Sequence, residues 1–368
     1  MPNVLNSIFG GSQKPDFAEA TQRLMQALSD SEAADETIQN SIKSFYDVLP
    51  KATEAELSEA IESLADLFFL LEESKSTVAM MICGNLMERG FYSATVSSRM
   101  IEKMAYLTDS AYPFFVTFQS ELAKRGESED DPEGFELLDS LKDALWDDLA
   151  DAIISWNTLE DQYVPAVSMF SIDAAVRNKA KETVKHIQYL AEYNQGCLWL
   201  NKLFCVLFDE PILVIEPENN LGFIGKMSGI EDNFQLQGLL MDVFPRTDAV
   251  QPRISKKHAN VFEGIGPQAQ EGSITGAWNM CNWQAVNYDF SLSTDNSQHW
   301  IWSEGTPADI SIFAGFRVVL LGKPSYARNI SLQRTFSHLK ASIRVEKELA
   351  QDEIESWLSR MLHEKNNF

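Results

Sequence analysis

Basic residues, histidines and cysteines are all in short supply in this chain, and each shortage closes off a class of function. The 30 Lys and Arg face 54 Asp and Glu, which leaves a formal charge of -24. Nucleic acid and anionic membrane both bind through positive charge, so the composition argues against either as a partner. The five histidines (His186, His258, His299, His338, His363) stand apart, with no HxxxH, HxH or HxE spacing, and no metal site is expected. Cys83, Cys197, Cys205 and Cys281 form no CxxC pair. The first three lie in apolar helical surroundings and read as reduced, buried thiols of a cytoplasmic protein, neither a disulfide framework nor a zinc site.

Other absences are equally informative. The most apolar stretches, Leu67–Leu71 and Cys197–Phe208, fall short of the roughly 18 residues that span a bilayer. The opening MPNVLNSIFGGSQKPDF lacks the basic and apolar regions of a secretory signal, and residues 1–14 read as a flexible terminus. Gly222-Phe-Ile-Gly225 is neither GxxxxGK[ST] nor a GxGxxG that opens a helix, so it is not a phosphate loop. There is no GxSxG elbow, and no cysteine has a basic neighbour to activate it. No cofactor is expected.

What the chain does have is enough apolar residue, 45%, to pack a core, and at 368 residues enough length for two domains. From Pro15 to Phe208 the period is helical. Leu57, Ile61, Leu64, Phe68 and Leu71 draw one stripe, and Val78, Met81, Ile82 and Leu86 another. Arg89-Gly90 and Lys124-Arg125-Gly126 are helix stops, because basic residues suit the last turn and glycine the left-handed cap. Those stops lie 36 residues apart. That spacing is similar in style to HEAT or armadillo arrays, and an irregular bundle fits equally.

Residues 127–161 hold thirteen Asp or Glu against the single Lys142. Leu138, Leu141, Leu145, Leu149, Ala152 and Trp156 mark one helix face; Asp139, Asp143, Asp147 and Asp151 mark the other. The acidic face is either solvated or a dock for something basic. Cys197–Phe208 is apolar nearly all round and reads as a helix buried on every side.

At Asp209-Glu-Pro211 the period changes to that of a strand. Residues 15–208 therefore form an all-helical domain, and 209–368 a smaller mixed α/β domain on a short sheet, an α+β class. Ile212–Ile215 and Phe223–Ile230 form a strand pair, and Asp232 or Asn233 caps the helix that stops at Pro245. Arg246–Ser273 reads as a long loop with one short helix at Ser255–Phe262. Phe316–Leu321 is a central strand, His299–Trp302 a further strand, and Ile343–Lys347 a half-exposed last strand before a helix over Gln351–His363.

The stretch Trp278–Arg328 holds four of the eight tryptophans and a turn-rich segment, Glu304-Gly-Thr-Pro-Ala-Asp309. Glu304 and Asp309, with Arg328, have the composition of an acid–base site, since paired carboxylates divide those roles when their environments differ. Trp278, Asn282, Trp283, Trp302, Arg317 and Tyr326 are residue types that wall a polar pocket. Each also has a purely structural use, tryptophan as core and aspartate as cap. Arg317–Lys347 carries seven Lys or Arg against Glu346, a basic surface that the acidic helix complements. A protein partner is the leading expectation, an enzyme such as a hydrolase the second, and an acidic inhibitor or immunity-type protein the third. The sequence leaves oligomeric state open.

Overall fold

The computed structural model describes residues 16–70, 72–126, 130–245, 254–293 and 296–367. The expected flexible terminus, residues 1–14, lies outside them, as does Leu71.

Helices occupy the chain up to Phe204: α1 (Phe17–Ser29), α2 (Asp35–Val48), α3 (Glu54–Asp66), α4 (Glu73–Glu88), α5 (Ala94–Arg125), α6 (Phe135–Ala144), α7 (Trp146–Ile172), α8 (Ala174–Thr183), α9 (Ile187–Leu190) and α10 (Gln195–Phe204). Their ends are set by side chains that satisfy orphan backbone groups. The Asp16 carboxylate accepts the Glu19 N–H at 2.8 Å ahead of α1, and Thr53 with Glu56 forms a reciprocal capping box on α3. Both glycine stops lie in the left-handed region, Gly90 at φ 97° and Gly126 at φ 71°. Leu57, Ile61, Leu64 and Phe68 are buried as one stripe.

Three helical expectations need correction. On α4, Met81 is 46% exposed while Met80 and Cys83 are buried. Val78-Ala-Met-Met-Ile-Cys is apolar right round a turn, so its period selects no unique face. The stripe from Leu138 to Trp156 does not run along one helix. The chain leaves the helix at Leu145, and Leu149 sits at φ -131°, ψ 27°. Leu138, Ala152 and Trp156 are buried, the leucines between them only half-buried, and Asp139, Asp143, Asp147 and Asp151 are exposed. Finally, α10 is not covered on every side. Leu198 is exposed, and the Lys202 ammonium lies 5.1 Å over the Trp199 ring, screening it with an alkyl stem.

The chain divides into two compact units. The first runs through Met169 and includes Lys179–Cys197; the second takes Phe170–Asn178 and everything from Leu198 onward. Among the described residues no helix is long and apolar enough to cross a membrane.

The second unit is built on a sheet. Its elements are β1 (Glu210–Glu216), β2 (Leu221–Ser228), α11 (Asn233–Val243), α12 (Lys256–Glu263), β3 (Ala269–Thr275), β4 (Asn279–Cys281), β5 (Ile312–Phe313), β6 (Phe316–Gly322), β7 (Asn329–Gln333), β8 (Ser342–Glu348) and α13 (Gln351–Lys365). Strand order is β4-β6-β1-β2-β8, with β5 also paired to β6, and β3-β7 forms a separate ribbon. β1 and β6 are parallel, Ile212 opposite Arg317, while the other pairs are antiparallel. Together with the helical first part this is an α+β protein.

Alternation sorts the side chains of the central strands between two cores. Ile212, Val214, Val319 and Leu321 join α11, α12 and the β3-β7 ribbon on one face. Leu213, Ile215, Val318 and Leu320 join Ile354, Leu358 and Met361 of α13 on the other. A strand buried on both faces reads as a continuous apolar run, and β6 does.

One strand expectation fails, and one loop expectation is incomplete. His299–Trp302 is not a strand: Asn296 caps a short turn of helix at Ser297–His299, and Trp300 makes only a single bridge to Cys281. Of Arg246–Ser273, residues 246–253 lie outside the described set; the remainder holds the expected short helix, as α12, and most of β3, which was not expected. β3 escaped notice because Ala-Gln-Glu-Gly-Ser-Ile-Thr is exposed along nearly its whole length and carries no apolar alternation.

Candidate functional site

Of the nine residues singled out in the Trp-rich stretch, the fold gathers three. Trp302, Tyr326 and Arg328 converge, joined by Trp300 and Ser303. The Trp300 and Trp302 rings are 5.3 Å apart at 59°, and Trp300 lies 6.4 Å from Tyr326. The Arg328 guanidinium stands 5.2 Å over the Tyr326 ring and donates to the Ser303 and Tyr326 hydroxyls. These two hydrogen bonds orient the guanidinium, whose fork carries five donors in all. Trp302 is 51% exposed and Tyr326 49%.

The backbone under this group is pinned from several directions. The Trp302 carbonyl accepts from Asn233 Nδ2 at 2.8 Å and from the Gly305 N–H at 3.1 Å. The Ser303 carbonyl accepts the Phe234 N–H, and the Gly305 carbonyl the Asn233 N–H. The first turn of α11 therefore grips the chain beneath Trp302. On the other side the Arg328 carbonyl accepts the Gly276 N–H at 2.8 Å, and Asn279 Nδ2 reaches the Ser325 hydroxyl. Sequence reasoning passed over Ser303 and offered Asn233 only as an alternative helix cap, a place that Asp232 takes. Their only signal was a small polar residue next to a tryptophan, and a polar pair, Asp232-Asn233, at a helix start.

The two carboxylates go separate ways. Asp309 closes a capping box: its Oδ2 accepts the Thr306 N–H at 2.8 Å and the Thr306 hydroxyl at 3.0 Å. Glu304 is exposed and faces Asp232. Burial pushes the Asp232 carboxyl up, its hydrogen bond from Gln235 opposes that, and Glu304 adds repulsion. An acid–base pair needs its two carboxyls on one reacting group; Asp309 is taken up by its capping box, while Glu304 is exposed.

The remaining residues hold structure together. Arg317 is a clamp: Nε to Glu210 at 2.8 Å, and one terminal nitrogen to the Ala308 and Ile310 carbonyls at 2.8 and 2.7 Å. It fastens the Thr306–Ile310 turn to the sheet. Asn282 caps the turn at Trp283–Ala285 by accepting the Gln284 N–H. Trp278 packs edge-on against Phe244, 5.3 Å away, and its carbonyl accepts from Gln237. Trp283 is core on the α13 side and touches Phe313 at 5.3 Å.

Among the described residues no three His, Cys, Asp or Glu side chains converge closely enough to hold a metal ion. Burial raises the thiols of Cys83 and Cys197 far above the ordinary range and pushes that of Cys281 up to about 11. Thiols held in that state are poor nucleophiles. What the gathered group offers is recognition: two half-exposed aromatic rings and a stacked arginine on fixed backbone. No family model matches the chain, and no curated protein or solved structure is significantly similar to it.

Proposed function

We propose that this chain is a cytoplasmic protein-binding module that holds its partner on the surface made by Trp300, Trp302, Tyr326 and Arg328. The observation that carries this is the half-exposed pair Trp302 and Tyr326 flanking a stacked arginine. Tryptophan, tyrosine and arginine are the residues that dominate binding hot spots, and rigid backbone lowers the ordering cost of association. The charge of half-buried Arg328, with exposed Lys323 nearby in sequence, favours a partner that presents a carboxylate beside an apolar residue. The buried thiols of Cys83, Cys197 and Cys281 support a reducing compartment.

The exposed row Asp143, Asp147 and Asp151 offers a second docking surface, one that would mask a basic protein as an inhibitor does. One experiment separates the two. The full chain, a Trp302→Ser/Arg328→Ala variant and an Asp143→Asn/Asp147→Asn/Asp151→Asn variant are immobilised, and a captured protein is identified and its salt dependence measured. The aromatic surface predicts that capture fails for the first variant and survives in the second. The opposite pattern transfers the function to the acidic face. Capture that ignores both substitutions, or recovery of small metabolites alone, defeats the proposal.

A further inference from the structure

A second aromatic cluster lies on the α13 side of the sheet, and it borders a cavity. The tip of the β5-β6 hairpin and the last turns of α13 border an open hollow of about 740 Å3, lined among others by Trp283, Phe313, Ser359, Arg360 and Glu364. That volume falls within the roughly 300–1,000 Å3 usual for small-molecule sites. Its wall is flat and apolar: Trp283 and Phe313 meet at 5.3 Å and 39°, and Phe313 and Phe316 both pack edge-on against Trp357. The hairpin tip beside it turns through two left-handed residues, Ala314 at φ 49° and Gly315 at φ 85°. Positive φ at both central residues is what a two-residue hairpin loop requires to match the twist of its strands.

Arg360 supplies the polarity. Its guanidinium lies 4.3 Å over Trp357 and 5.8 Å from the Phe313 ring. Among the described residues it makes no ion pair or hydrogen bond, although Glu364 follows one turn later on α13. In a chain with 54 acids for 30 bases, an arginine without a carboxylate is set apart from its neighbours. A guanidinium held over an indole and not engaged by a carboxylate keeps N–H donors for the carboxylate or sulfonate that arginine takes.

We infer that this cavity binds an organic anion with a flat apolar body, its charged group on Arg360 and its ring system against Trp283 and Phe313. The site is separate from the docking surface proposed above, and neither depends on the other. The full chain is titrated with two fluorescent dyes: anilinonaphthalene sulfonate, and the uncharged phenylnaphthylamine, which has the same aromatic body without the sulfonate. The sulfonate dye is expected to bind saturably. Arg360→Gln, at an exposed helix position, weakens it at least about tenfold and leaves the uncharged dye unchanged, as loss of one charge-assisted contact requires. Ser359→Trp, which fills the cavity from its helical wall, excludes both dyes. Equal affinity of the two dyes for the unaltered chain, unchanged sulfonate binding by Arg360→Gln, or binding of both dyes by Ser359→Trp would overturn the inference.

Discussion

Lowering the pH from about 7.5 to about 5 strengthens the sheet-bearing unit through one carboxyl, that of Glu231. Its side chain is 6% exposed at the start of α11. Its two oxygens accept the backbone N–H groups of Thr335 and Phe336, the latter at 2.9 Å, and so fix the chain between β7 and β8. Burial raises the carboxyl from its ordinary 4.5 to about 6, against the pull of those N–H groups and of Arg334. The folded form therefore holds a proton that the unfolded form has released. Its stabilising contribution is complete below pH 4.5 and disappears as the pH rises through about 6. The whole effect is about 2 kcal/mol, of which about 1 is recovered by pH 5. Glu231→Gln removes the titration and leaves one amide N–H facing a backbone donor, an offset that does not vary with pH. Urea unfolding of both proteins, followed by tryptophan fluorescence, measures the difference, since six of the eight tryptophans lie in the second unit. The gap between them should widen in favour of Glu231 as the pH falls. Parallel profiles, or a gap that narrows, would refute the assignment of burial as the dominant cause.

Two further outcomes concern stability. At Gly229 (φ 69°) an added Cβ would stand 1.9 Å from the Lys340 carbonyl, whereas at Gly272 (φ 102°) nothing lies within 4 Å. Gly229→Ala should therefore cost about 3 kcal/mol, left-handed strain plus a backbone clash, and Gly272→Ala only about 1; equal costs in urea unfolding would contradict the contact. Asp309→Ala removes a cap and should cost about 1 kcal/mol while protein capture continues unchanged. Loss of capture at intact stability would restore Asp309 to the functional site.

Legibility in the sequence followed how much of each signal was local. β6 was plain because both of its faces are buried, and the stops at Gly90 and Gly126 because a dipole and a backbone angle act within one turn. The His299–Trp302 alternation was real, since Ile301 is buried and the flanking tryptophans are less so. But alternation shows which way side chains point, and a ladder also needs a neighbouring strand in register. Arg317 looked like a site residue because its partners, Glu210 and two carbonyls, cannot be inferred from its sequence neighbours. Trp302, Tyr326 and Arg328 come together because Asn233, about seventy positions away, holds the Trp302 carbonyl. Arg360 drew no notice for the converse reason: its meaning lies in the partner it lacks.

The parallel contact between β1 and β6 also governs how the second unit assembles. The hairpin β1-β2 can zip locally, but the Glu210–Arg317 bond joins positions 107 apart. The entropy of closing so large a loop must be met before its contacts contribute. Docking of β6 is therefore expected to come late in folding. Until it happens the apolar edge of β1 would lie open, which is when a newly made chain would be most exposed to aggregation.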